Sequence, residues 1–295
     1  MSTIVITAPD DQQGTSTPGK KSRNHARSAR RRQTAIRLAV FAAFLILWWG
    51  VTAAGLVKPL FLPSPGAVWH AAVQANSCRP VAAGVERLVC GEQNYFMWEH
   101  LIASLQRIGV GVGMAIVFGV ALGFIMGTIK PINTVIEPYL NFLRSLPPLG
   151  YIGLLIVWFG IGDVSKIWLL FLAAFPPIAM ATISGVGGIR QARIHAAQSL
   201  GASRWQVMTN VILPSSLSEI FSGIRIAVGF AWTTVVAAEL NNGIPGIGGL
   251  AYISGTQLQT PLTIACIIVI GISAIALDAL IKNLGRLLVP WHGKA

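Results

Sequence analysis

Of the 295 residues, 54% are hydrophobic and only 11% are charged, and the mean hydropathy is +0.65. A soluble globular domain carries about 25% charged residues, so this composition excludes one and calls for long apolar segments with short polar joints. The formal charge of +12 is concentrated near the start. Eight of the 22 basic residues (Lys20, Lys21, Arg23, Arg27, Arg30, Arg31, Arg32 and Arg37) crowd into one stretch at the approach to the first apolar run, where they mark a flank drawn to anionic lipid rather than a nucleic-acid site.

In chain order, residues 1–34 read as a disordered basic tail. Within it Gly14-Thr-Ser-Thr-Pro-Gly-Lys-Lys21 is one residue short of a phosphate-binding P-loop. Lys21 stands where a magnesium-binding hydroxyl is needed, so the match is rejected. The apolar stretch 35–57 is longer than the roughly 7–15 residues of a signal-peptide core, and reads as a retained first span. Residues 58–100 form a long outer loop, with a helix expected from Pro65. Cys78 and Cys90 in that loop suit a disulfide, which an oxidising compartment favours and which contributes about 3 kcal/mol; two free thiols are the alternative.

A bilayer core of about 30 Å needs roughly 20 apolar residues per helix. Five further spans follow at 101–128, 133–159, 164–187, 217–240 and 261–288, which makes the chain an all-α polytopic membrane protein of six spans. Pro147 and Pro148 interrupt the third, and Arg144 lies inside it. In the second, Gly109, Gly113, Gly119, Gly123 and Gly127 form a stripe expected to pack against another helix of the same chain, with a dimer contact as the alternative. With the N-terminus inside, cytoplasmic segments hold fifteen basic residues and the outer loops four (Lys58, Arg79, Arg87 and Lys166), so both termini are expected to be cytoplasmic.

Arg144, Glu219, Arg225 and Glu239 lie in or near apolar helices, where a charge needs a partner or water. Two readings stand. Ion pairing would fix helix register, with Glu219 or Glu137 serving one of the arginines. Alternatively Arg144, beside the proline break, lines a path for an anion, together with Pro147, Pro148, Tyr151 and Glu239. Trp158, Phe159 and Trp168 read as interfacial anchors. The five histidines are scattered, no Cys pair has zinc-ligand spacing, and no catalytic or metal set is legible.

The most informative stretch is the inner loop 189–214. An Ala-rich helix there should stop at Gly201 with a left-handed cap, and Ser203 with Gln206 forms a capping box for a second. Pro214 is expected to end that second helix, and Ser216 with Glu219 to cap the next span.

This loop is similar to the EAA loop of ABC importer permeases: Glu-Ala-Ala, three residues, Gly, nine residues, Ile-x-Leu-Pro. Ala196, Ala197, Gly201, Leu213 and Pro214 match it, with His195 in place of the Glu and Val211 in place of the Ile. Over roughly 40–295, strings such as Phe61-Leu-Pro63-Ser-Pro65, Leu146-Pro-Pro-Leu-Gly-Tyr151, Val157-Trp-Phe-Gly-Ile-Gly162 and Trp291-His-Gly293 resemble the nitrate, sulfonate and taurine branch, taurine permeases most closely. The resemblance implies a transport subunit that is not itself an enzyme and carries no cofactor. It would be a homodimer in the inner membrane, served by a cytoplasmic ATPase dimer holding ATP and Mg and by a periplasmic solute-binding protein. It also implies that Arg190, Arg193, His195, Ala196, Ala197, Gly201, Ala202, Ser203, Leu213 and Pro214 meet the ATPase.

Overall fold

The computed structural model describes residues 20–80 and 88–290, with side chains from Arg32 onward. The near-P-loop before Lys20, Arg87 and the terminal Trp291-His-Gly293 lie outside the described residues. The chain divides into two units, 1–58 and 59–295.

The first unit holds α1 (Lys20–Ala53). The helix begins within the stretch expected to be disordered, so the basic run is a helical approach to the first span rather than coil. The span at Arg32–Ala53 is apolar enough to cross a bilayer, and Phe41, Phe44, Ile46 and Trp49 stand exposed on it.

The second unit opens with α2 (Pro65–Gln74), the helix expected from Pro65. Ser64 caps it by accepting from Ala67 N–H, and Pro65 sits where a missing N–H costs nothing. A two-stranded antiparallel hairpin follows, β1 (Cys78–Pro80) and β2 (Leu88–Cys90). Cys78 lies opposite Cys90 and the two are disulfide-bonded. The remaining helices are α3 (Met97–Thr128), α4 (Lys130–Ser145), α5 (Ile152–Phe159, entered by a 3₁₀ turn at Pro148–Tyr151), α6 (Asp163–Gly187), α7 (Gln191–Ser199), α8 (Arg204–Val207), α9 (Leu213–Glu239), α10 (Ile247–Thr256) and α11 (Thr260–Leu288).

Among the described residues, five helical segments are long and apolar enough to span a bilayer. A sixth arises if α4 and the 148–159 segment, bent by 94°, count as one broken span. The break falls where the sequence places Pro147 and Pro148 and turns the third span into two arms. Pro176 and Pro177, by contrast, lie inside an uninterrupted α6.

Helix α6 is the centre of the bundle, with α3 on one side and α9 on the other. Both seams are made by glycine, because close backbone approach supplies the attraction where the lipid offers no hydrophobic drive. A Cβ on Gly123 would come within 2.6 Å of Ala179 O and Thr182 Cβ; one on Gly127 would meet Val186 Cβ at 2.7 Å; one on Gly223 would meet Ala181 Cβ at 2.3 Å. Gly109 and Gly113 depart from the expected stripe, with open space around them, while Gly111 faces Leu170. The reason is angular. Gly111, Gly119, Gly123 and Gly127 fall on one i±4 row, whereas Gly109 and Gly113 each lie two residues from Gly111, about 200° around the helix. Gly123→Val is expected to lower the thermal unfolding midpoint in detergent markedly, since overpacking costs typically 1–3 kcal/mol. Gly109→Val should leave the midpoint nearly unchanged.

Candidate functional sites: a docking loop, a cavity and a polar clamp

The loop at one end of the bundle is built from local signals. Helix α7 ends in a Schellman turn: Gly201 takes φ +84°, its N–H donates to Gln198 O, and Ala202 N–H donates to Ala197 O. Ser203 Oγ accepts from Gln206 N–H while Gln206 Oε1 accepts from Ser203 N–H, so the expected capping box is formed. Ile194, Ala197 and Ala202 pack inward on Val186, Ile189, Val207 and Ile212. Arg190, Arg193, His195, Ala196, Gly201 and Ser203 are exposed, as are two large apolar side chains, Leu200 at 89% and Trp205 at 71%. The loop is therefore fastened by one face and offers the other.

Pro214 does not end the second helix. Residues Met208–Ile212 form a π turn in which Leu213 N–H donates to Met208 O, and α9 starts directly on it with Pro214 in its first turn. The wider turn absorbs the hydrogen bond that proline cannot make. The run 204–239 is thus one continuous rod, with Leu213 and Pro214 inside it rather than at a loop end. Ser216 is buried and donates to Leu213 O, so the second capping box is absent.

Midway along the bundle, a cavity of about 450 Å³ lies between the broken helix, α6 and α9. Arg144, Pro148 and Tyr151 line it from the broken helix, facing Pro177 and Ser184 of α6 and Phe230 of α9. Arg144 makes no ion pair among the described residues, and its walls are largely apolar. Pro147 is exposed and is not among the lining residues.

Glu239 lies elsewhere, at the end of the bundle opposite the loop, in a polar clamp. Arg107 of α3, 4% exposed, reaches three elements. Its Nη1 donates to Glu239 Oε1 at 2.6 Å, its Nε to Asp163 Oδ1 of α6 at 2.8 Å, and its Nη2 to Pro245 O at 2.7 Å. Glu239 also accepts from Ser104 Oγ and from Gly248 N–H. Lys166, read from sequence as an outer-loop charge, is buried in the first turn of α6 and donates to Asn242 O. His100 joins the outer loop to this end: Nδ1 accepts from Gly246 N–H, and Nε2 lies 3.1 Å from Glu92 O. The clamp holds α3, α6, α9 and the turn before α10 in register, and Gly246 and Gly248 leave the room it needs.

The expected partners of the intramembrane charges are corrected as well. Arg225 pairs with Asp278 of α11 at 2.8 Å, Glu137 accepts from Asn133 Nδ2, and Glu219 makes no ion pair among the described residues. Arg107 escaped the sequence reading. The signal for it was present, since an arginine in an apolar span requires an acid, but the acid lies 132 residues away. Phe159 stacks on Trp168 with ring centroids 5.6 Å apart. Among the described residues no group of three or more His, Cys, Asp or Glu is placed to hold a metal.

The chain is a bundle of apolar, bilayer-length helices with a cavity between the broken helix, α6 and α9 and, at one end, a loop fastened by one face and exposed on the other. The chain belongs to the family of binding-protein-dependent transport system inner membrane components, whose profile matches residues 115–291. It is 40% identical over 268 residues to the taurine transport system permease protein TauC of Escherichia coli, covering 89% of this chain and 92% of that protein. It is 30% identical to the putative aliphatic sulfonates permease SsuC of Bacillus subtilis, covering 85% of each. The bicarbonate permease CmpB of Synechocystis is also 30% identical, over 84% of this chain and 86% of that one. Among solved structures, the MetNI methionine ABC transporter in an inward-facing conformation superposes with a TM-score of 0.57 at 19% identity, over 65% of this chain and 95% of that one, and so shares the fold.

Proposed function

We propose that the chain is the permease subunit of an ATP-driven importer that carries taurine or a related sulfonate into the cytoplasm. The observation that carries this reading is the 40% identity to a taurine permease along nearly the whole of both chains. Two copies form the path. Two copies of a separate ATPase, which hold ATP and Mg, seat on the exposed faces of α7 and α8, with Arg190, Arg193, His195, Ala196, Gly201 and Ser203 around the contact. Both termini lie on that cytoplasmic side, and a periplasmic binding protein delivers substrate to the opposite end.

The rod 204–239 supplies a mechanical link. ATPase closure displaces α8, and because the π turn keeps α8 continuous with α9, the displacement reaches Phe230 at the cavity wall. Arg144, which makes no ion pair among the described residues, gives that cavity a cation suited to a sulfonate, with the proline break leaving backbone carbonyls near the path. The chain needs little affinity of its own, since the binding protein selects.

The test is ATP-dependent uptake of labelled taurine into proteoliposomes holding this chain, its ATPase and its binding protein, with unlabelled sulfonates, nitrate and bicarbonate as competitors. Uptake blocked by taurine and not by nitrate supports the reading. ATP-dependent uptake of another anion corrects the substrate, and ATP-independent uptake overturns the importer. In the same assay Arg144→Gln is expected to reduce uptake about tenfold or more, the scale of one lost charge-assisted hydrogen bond, with assembly intact. Unchanged uptake removes Arg144 from the path.

A further inference from the structure

A second cavity, about 710 Å³, lies between α9 and α11 at the same end of the bundle as the docking loop. Three cations line it, Arg225 from α9 and Lys282 and Arg286 from α11, against one carboxylate, Glu219. Arg225 is held by Asp278, with Nε to Oδ1 at 2.8 Å and Nη2 to Oδ2 at 3.0 Å, which fixes its fork in place. Lys282 and Arg286 form no salt bridge among the described residues. They are four apart on one helix, so each raises the cost of the other. Ser218 and Ser222 also line this cavity, and neither hydroxyl makes a hydrogen bond among the described residues. Gly285, between Lys282 and Arg286, lets Phe221 approach: a Cβ there would stand 3.3 Å from that ring.

Cations near a cytoplasmic helix end are expected from the positive-inside rule and from the helix dipole. Neither requires them to converge from two helices on one recess with unused hydroxyl donors. On the other faces of α11, Ile275, Leu284, Leu287 and Leu288 are exposed apolar side chains alongside this recess. A basic pocket between membrane helices at the cytoplasmic surface suits an anionic head group.

We propose that the α9–α11 recess is an oxyanion site, separate from the central cavity, in which Lys282 and Arg286 bind a tetrahedral phosphate or sulfonate group assisted by Ser218 and Ser222. Its placement on the cytoplasmic side rests on the orientation proposed above; the site itself does not depend on transport. Two sources share the chemistry: the phosphate of an anionic membrane lipid, and a free cytosolic sulfonate or phosphate. Arg225, paired with Asp278, adds a third cation to the lining, and Glu219 disfavours a second anion.

The experiment measures binding rather than uptake, so its failure is distinguishable from failure of the importer reading. The purified full-length chain is titrated with short-chain phosphatidylglycerol, with short-chain phosphatidylcholine, and with ethanesulfonate or inorganic phosphate, reading the shift in thermal unfolding midpoint. The double variant Lys282→Gln/Arg286→Gln and the charge-preserving Lys282→Arg/Arg286→Lys are titrated alongside. A saturable shift with phosphatidylglycerol but not phosphatidylcholine assigns the site to lipid. A shift with the soluble anions assigns it to a free oxyanion. In either case the neutral double variant should bind at least about tenfold more weakly, and the charge-preserving variant should remain near wild type. Equal shifts in the neutral variant and wild type, or no shift with any anion, would overturn the proposal.

Discussion

Replacing Glu239 with Leu is expected to produce the largest loss of stability of any single substitution in the bundle. Its side chain is fully buried and takes one ionic and two neutral hydrogen bonds, from Arg107, Ser104 and Gly248. Removing it leaves the Arg107 guanidinium, 4% exposed, with only the exposed Asp163 for a counter-charge. Breaking one side of a buried pair costs about 3–5 kcal/mol, because a desolvated charge is stranded. Removing both partners costs less, since no unpaired charge is then buried. The measurement is thermal unfolding in detergent of Glu239→Leu, Arg107→Met and the double variant. The two single losses should exceed the double when summed, with a coupling in the upper part of the usual range of about 0.5–3 kcal/mol. Additive losses would mean that the clamp is three separate contacts. Glu239→Gln, which keeps the shape and an acceptor for Gly248 N–H, should fall between wild type and Glu239→Leu.

The second large effect is expected at Trp205 and Leu200, and it should appear in assembly rather than in folding. Both side chains are mostly exposed, so truncation should alter stability by no more than about 0.5 kcal/mol. Buried in a partner's groove, a tryptophan is the residue type that most often carries an interface, worth about 2 kcal/mol or more on truncation. Trp205→Ala is therefore expected to weaken binding of the ATPase to the reconstituted chain about thirtyfold, and Leu200→Asp to do the same by placing an unpaired charge in an apolar contact. Titration of the ATPase against nanodisc-held permease reads this directly. Wild-type affinity in both variants would return the loop to the status of a connector lying on the lipid surface.

The legible parts of this protein were those set by neighbours in sequence. The Gly201 turn and the Ser203–Gln206 box formed as expected, because a left-handed cap and a reciprocal pair of side chains are complete within four or five residues. The helix at Pro65 is equally local, and the Cys78–Cys90 bridge, one of two readings open to the sequence, closes over a separation of 12 residues. Pro214 was misleading for a local reason. A proline normally stops a helix, and the π turn that lets this one continue has no signature in composition. The cavity was half visible, since Arg144, Pro148 and Tyr151 adjoin in sequence, whereas the α6 and α9 walls opposite them do not.

By itself the sequence determined that this is a helical membrane protein with a punctuated loop between its spans, because apolar length and capping chemistry depend only on nearby residues. Tertiary structure alone decided which charges meet: Arg107 with Glu239 and Asp163, Arg225 with Asp278, and Arg144 with none among the described residues. An ion pair needs a few ångströms of proximity; for Arg107 and its acids, 56 and 132 residues away, that distance is set by the glycine seams packing α3, α6 and α9 together, and for Arg225 and Asp278, 53 apart, by the packing of α11 on α9. The charges in this bundle could be counted from the sequence, but their partners followed only once the helices had chosen their neighbours.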